Sequence, residues 1–335
     1  MLRITFLAIF LASANISFAA NAPVKIKLGT LAPKDSSPHQ SLKVMAQTWR
    51  QAPGGGVALT IYTDGTLGGE ADMVRRMRIG QIQAALLTSA GLADIDDSAT
   101  ALQTMPLVFR TLDEVDYVRE KIRSKLEQRL ADKGFVVLFW TDAGWVKFFS
   151  RKPVVYPDDL KKQKLFAWAG DNKTIDIIKA AGYQPIPLET ADILPGLQTG
   201  LIDAVPAPPF FALAGQFYGP APHMLDMNWS PLAGALIITK KAWDQIPPDA
   251  RKVVRESAEK AGDDIRTQAR KEMTESVEAM KKRGLVVHEM PPEAEAAWRK
   301  LAEDAYPRIR GVIVPSDLFD EVQALLKEYR VGKKQ

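Results

Sequence analysis

Between Pro247-Pro248-Asp249 and Gly284 the sequence carries an unbroken apolar stripe, in which Val254, Ala258, Ala261, Ile265, Ala269, Met273, Val277 and Met280 recur at three- and four-residue steps. That is the period of one helix face, and it starts at proline and stops at glycine, as helices do. A helix over about 249–283 is about 50 Å long at 1.5 Å per residue, longer than a small lobe is wide. A rod of that length has to lie across two bodies. The chain is therefore expected to fold as two lobes joined by a strut; a pair of shorter helices broken near Gly262 is the other reading of the same stretch.

The remaining segments fill those lobes with α/β units. Val24 to Leu28 alternates strictly and reads as a half-buried strand, followed by a helix from about His39 to Gln51 and a strand from Val57 to Tyr62. A glycine-rich loop leads into a helix from Glu70 to Ile79, and Ala84 to Leu87 is a short buried strand. This β-α-β-α-β order predicts a mainly parallel sheet in the first unit, covered by helices. A helix from about Asp113 to Lys133 and a strand from Phe135 to Trp140 complete it. The second unit runs through strand Lys164–Trp168, helix Asn172–Ala181, strand Gln184–Pro187, helix Asp192–Gly200 and strand Asp203–Val205, and Leu232 to Thr239 reads as a strand returning to the first lobe. The expected division is 20–143 with 233–270 in lobe I, and 144–232 with 271–335 in lobe II. Repeated crossing makes a hinge, and clefts between lobes are favoured ligand sites.

Chemistry is excluded more readily than assigned. With no cysteine there is no disulfide, thiolate nucleophile or cysteine-held metal. The three histidines, His39, His223 and His288, are far apart, and no metalloprotease helix, phosphate loop or nucleophile elbow occurs. The acidic run Asp94-Ile95-Asp96-Asp97 lacks the spacing and closing glutamate of a calcium loop. Asp142, Asp171 and Asp203 sit beside strand ends, where helix caps and lobe-locking hydrogen bonds are their expected use. No catalytic residue, metal or cofactor is expected, and the chain reads as a binding protein, not an enzyme. Its formal charge of +4, from 44 basic and 40 acidic residues, gives no support to nucleic-acid binding.

The first residues set the compartment. Arg3, the apolar run from Ile4 to Leu11 and Ser17-Phe18-Ala19 fit a signal peptide cleaved after Ala19. A membrane anchor is the other reading, but the apolar core is shorter than the ~20 residues that span a bilayer. Lacking an N-terminal cysteine to lipidate, the mature chain is expected to be free in the periplasm, not a lipoprotein.

Several segments carry a family resemblance: Leu28-Gly29-Thr30-Leu31-Ala32-Pro33, Asp64-Gly65-Thr66-Leu67-Gly68-Gly69-Glu70, Arg78-Ile79-Gly80-Gln81-Ile82, Pro106-Leu107-Val108-Phe109, Ser150-Arg151-Lys152-Pro153 with Pro157-Asp158-Asp159-Leu160-Lys161, and Leu197-Gln198-Thr199-Gly200-Leu201-Ile202-Asp203. In this order, with the strut helix, the sequence resembles the DctP-type receptors of tripartite ATP-independent periplasmic (TRAP) transporters. The resemblance implies a two-lobed, type II-like periplasmic binding fold with mixed sheets, closure on a small organic ligand, and delivery to membrane permease subunits. Its departure concerns the ligand. Where that family places a carboxylate-binding arginine, this chain has Phe166. Arginine offers a five-donor fork and phenylalanine offers no donor, so a largely apolar or aromatic ligand is expected. Trp145 and Phe166 are then read as cleft wall, Trp168 and Phe211 equally as wall or core, with Phe210 beside them; Thr30, Glu70, Thr88 and Ser89 supply polar contacts from the first lobe. The apolar cleft is also similar to a subgroup associated with tetratricopeptide-repeat proteins, which would imply such a partner in the periplasm. Two alternatives stay open: a carboxylate receptor with a relocated arginine, Arg151 or the nearby Lys147 being the cations at hand, and a lipid carrier without a permease.

Overall fold

The computed structural model describes residues 22–333; the expected leader, residues 1–19, lies outside them. Nine strands form one continuous sheet: β1 Val24–Thr30, β2 Val57–Tyr62, β3 Ala84–Thr88, β4 Phe135–Ser150, β5 Lys164–Trp168, β6 Gln184–Leu188, β7 Ala204–Ala207, β8 His223–Thr239 and β9 Val286–His288. Their order is β2-β1-β3-β8-β4-β7-β5-β6, with β9 on β8. Each lobe holds a parallel trio, β2-β1-β3 or β6-β5-β7, and each trio meets a long strand antiparallel. β1 shows why the alternation was legible: Ile26 and Leu28 are buried, and Lys25 and Lys27 between them face solvent.

The long strands make the hinge. β4 and β8 pair antiparallel from one lobe into the other, with register shifts between Val137 and Phe139, Asp142 and Trp145, and Val146 and Phe148. Such bulges bend a strand and raise its local twist. Gly144 sits at the middle one with φ 76°, a left-handed conformation that suits glycine. Sequence reading ended β4 at Trp140 and began β8 at Leu232; both strands are longer, and the added residues form the crossover.

The strut is a single helix, Pro248–Lys281, of 34 residues. Gly262 does not break it. A β-carbon there would lie 2.6 Å from the Phe139 ring, so glycine lets the helix lie directly on β4. Val254, Ala258, Ala261 and Ile265 bury against the first lobe, while Met280 joins the second lobe's core. After β9, helix Pro292–Ile309 inserts Trp298 into the second lobe, and helix Ser316–Gly332 returns to the first, burying Leu318, Phe319, Val322 and Leu326 with Val115, Ile122 and Leu126. Residues 316–332 therefore depart from the expected assignment of 271–335 to lobe II. The helix buries its apolar face in the first lobe's core, and Arg330 donates to the Glu114 carboxylate at 2.8 Å.

Candidate functional site

A cavity of about 370 Å³ lies between the lobes, within the roughly 300–1,000 Å³ typical of small-molecule sites. Its floor is the crossover, where Thr141, Asp142, Ala143 and Ser230 line it. Asp142 is 1% exposed, and a buried carboxylate needs partners. It accepts from the Gly144 amide at 3.1 Å and from Arg270 of the strut at 2.7 Å, and Arg270 also grips Asp116 of helix Leu112–Asp132 through two bonds of 2.6 and 2.9 Å. These carboxylates hold the Arg270 guanidinium well above its usual pKa despite its burial, and Asp116 is held below its own. The hinge is thereby pinned to the strut. Asp171 serves as expected, capping helix Asn172–Ala180 by accepting from the Thr174 amide, whereas Asp203 neither caps a helix nor joins the lobes: it accepts from the Lys164 amide within the second lobe.

The first-lobe wall contains Thr30, Glu70 and Thr88, as expected from sequence. Thr30 Oγ1 accepts from the Ala32 amide at 3.1 Å. Glu70 accepts from the Thr88 amide, the Thr88 hydroxyl and the Gly91 amide at 2.7, 2.6 and 3.0 Å. Burial raises its carboxyl above the usual range, against the pull of those donors. Its oxygens are thus spent on shaping the loop that presents Thr88. Ser89 is fully buried away from the cavity and donates to the Ala233 carbonyl at 3.2 Å, which corrects its expected role as a ligand contact. Gln103 and Thr104 line the cavity beside Thr88 and were not found from sequence, because nothing in their local pattern marks them.

The second-lobe wall is aromatic. Phe166, Trp168, Phe210 and Phe211 all line the cavity. Phe166 is 1% exposed and meets Trp168 edge to face, with centroids 4.9 Å apart and planes at 82°, a favourable ring geometry. Phe211 bridges from Phe210 to Phe217 in the same style. Trp145 is the second correction. It packs in the first lobe's core, where its amide donates to Met273 Sδ, and takes no part in the wall. The register break between Asp142 and Trp145 changes which face the ring takes, and a one-residue slip moves a side chain across a sheet.

Cations are few here. Among the described residues no arginine lines the cavity, and Lys173 is the lysine that does, paired with Asp97 of the opposite lobe at 2.7 Å. Arg151 does not reach it: its guanidinium donates to the Leu197 carbonyl at 2.8 Å and stands 3.8 Å from Asp203. Lys147 is bound to Asp226 and Asn228 at 2.6 and 3.1 Å. The relocated-arginine alternative is therefore not what the structure shows. No group of three or more metal-ligating side chains is found among the described residues, and no helix of those residues is long and apolar enough to cross a membrane.

A family model, that of the bacterial extracellular solute-binding proteins, family 7 (DctP), matches residues 28–310. Among curated proteins, the chain is 27% identical over 294 residues to the 2,3-diketo-L-gulonate-binding periplasmic protein YiaO of Escherichia coli, covering 85% of this chain and 88% of that one. It is 22% identical over 282 residues to the C4-dicarboxylate-binding periplasmic protein DctP of Rhodobacter capsulatus, covering 83% and 84%. Among solved structures, a TRAP periplasmic solute-binding protein of Sulfurospirillum deleyianum with bound succinate superposes with a TM-score of 0.83 at 22% identity, over 91% of this chain and 100% of that one. One of Chromohalobacter salexigens with bound D-glucuronate gives 0.81 at 20%, over 90% and 99%.

Proposed function

The chain belongs to family 7 of the bacterial extracellular solute-binding proteins, and from that premise we propose that it is the periplasmic receptor of a TRAP-type transporter whose ligand is a small, largely apolar or aromatic organic molecule. The lobes close over the ligand about the β4–β8 crossover, and the closed form presents it to membrane permease subunits. One observation carries the ligand class: Phe166 and Trp168 form an edge-to-face wall in a cavity that no arginine among the described residues lines. Removing one partner of a buried ion pair costs about 3–5 kcal/mol, roughly two to three and a half decades of affinity. A ligand held by its carboxylate alone loses that much here, and ring contact has to supply the difference. Titration by tryptophan fluorescence with phenylacetate, succinate and D-glucuronate tests this. Phenylacetate is expected to bind in the micromolar range and the other two far more weakly. Micromolar succinate binding that survives Phe166→Ala would sink it.

The carboxylates bound by the two solved structures, together with Lys173 at the cavity, favour a second reading, in which the ligand's acidic end takes Lys173 from Asp97. In that case Lys173→Ala weakens phenylacetate about tenfold and leaves benzyl alcohol unchanged.

A further inference from the structure

The cavity does not stop at the aromatic wall. Leu165 and Phe166 are consecutive on β5 and so face opposite sides of the sheet, yet both line it. Phe166 belongs to the core that holds Ile193 and Phe217, whereas Leu165 belongs to a separate one with Phe148, Tyr183 and Trp298, and these three line the cavity too. The cavity lining thus extends from the interlobe cleft past β5 to the interior of the second lobe, beneath helix Pro292–Ile309.

The walls of this annex are apolar with one exception. Phe148, Trp229 and Trp298 pack as three mutually contacting rings, with centroids 5.5, 5.7 and 5.8 Å apart. The indole nitrogen of Trp298 is already used, donating to the Val155 carbonyl at 2.8 Å. Tyr183 differs. It is more than nine-tenths buried, and its hydroxyl has no hydrogen-bond partner among the described residues. Buried hydroxyls are normally paired. Burial also raises its pKa far above the ordinary phenol range, so the group stays protonated and available as a donor.

We propose that the annex is a ligand subsite for an unbranched apolar tail bearing a carbonyl-type acceptor near its end, which receives the Tyr183 proton in a hydrogen bond. The ligand is then elongated, with one end between the lobes and the other inside the second lobe. This rests on the interlobe cleft being the binding site, and the test separates the two. Phenylacetate serves as the cleft probe, and butanoate, octanoate and 7-oxooctanoate probe the annex, each titrated by fluorescence or calorimetry. Octanoate is expected to bind more than tenfold tighter than butanoate, since each buried methylene contributes about fourfold. Ala302→Leu, which places bulk in the annex wall, is expected to erase that gain and leave phenylacetate unchanged. Tyr183→Phe is expected to weaken 7-oxooctanoate about fivefold and to leave octanoate alone. Phenylacetate binding with no gain from butanoate to octanoate overturns the annex and leaves the cleft intact. A 7-oxooctanoate affinity indifferent to Tyr183→Phe overturns the acceptor. If no probe binds at all, the apolar-cleft reading falls with both.

Discussion

Phe166 concentrates the chemistry of the site in one side chain. At 1% exposure it is both wall and core, touching Trp168 on one side and the Ile193–Phe217 cluster on the other. Phe166→Ala is expected to cost about 3–5 kcal/mol of stability, measured by urea unfolding, because it leaves a void that the surrounding sheet cannot fill. The same change should weaken phenylacetate in the fluorescence titration. Most of this wall was legible in the sequence, since four bulky rings on β5 and on helix Pro209–Ala214 have few uses besides core and cavity. The failures at residue scale were Trp145 and Ser89. Each lies within a few positions of true lining residues, and each is turned away by a feature distant in sequence: the register break against β8, which sends Trp145 into the first lobe's core, and the Ala233 carbonyl, which holds Ser89. No local pattern encodes such partners.

At the scale of elements, the crossover strands carry the clearest consequences. Asp142 is buried in β4, and Arg270 of the strut neutralises it. Arg270→Met strands the buried Asp142 carboxylate, whereas Asp116 keeps Arg119 at 2.9 Å, and a loss of about 3–5 kcal/mol is expected in chemical unfolding; Asp142→Asn, which removes the stranded charge, should recover part of it in the double variant. Farther along β8, His223 lies 2.9 Å from His288 of β9, ring nitrogen to ring nitrogen. Desolvation and the neighbouring imidazole lower the His223 pKa from its ordinary value. The unfolded chain then binds more protons than the folded one, so this pair's contribution is present above about pH 6.5 and is lost as pH falls through the depressed value. A midpoint of thermal unfolding that drops between pH 7 and pH 5, and drops less in His288→Gln, is the expected result. Sequence reading found the outer strands almost to the residue because alternation or a short apolar run marks them. It missed the inner halves of β4 and β8, where Thr141-Asp142-Ala143-Gly144 and Asp226-Met227-Asn228 look like turns. They stay extended because the opposing strand and the strut satisfy their polar groups.

Over the whole molecule, a weak ion pair joins the two lobes beside the cavity. Lys173 and Asp97 join the lobes at 2.7 Å, but both side chains are substantially exposed, and such pairs contribute only about 0.2–1 kcal/mol. Asp97→Ala is therefore expected to shift the open–closed balance by no more than about fivefold, read as a small rise in radius of gyration by solution scattering without ligand. The same pair stays intact in Phe166→Ala, so the two variants separate closure from ligand contact.

The passage of β8 back through the first lobe also governs how the chain can be made. Ala84 on β3 finds its neighbour at Ile238, so the sheet of the opening domain stays unfinished until nearly three-quarters of the polypeptide has been synthesised, and its core waits for helix Ser316–Gly332. Contacts so distant along the chain slow folding. A ribosome or secretion pore thus handles a long, unfinished thread, and a protein stopped short of β8 would have an exposed sheet edge in place of a smaller working receptor.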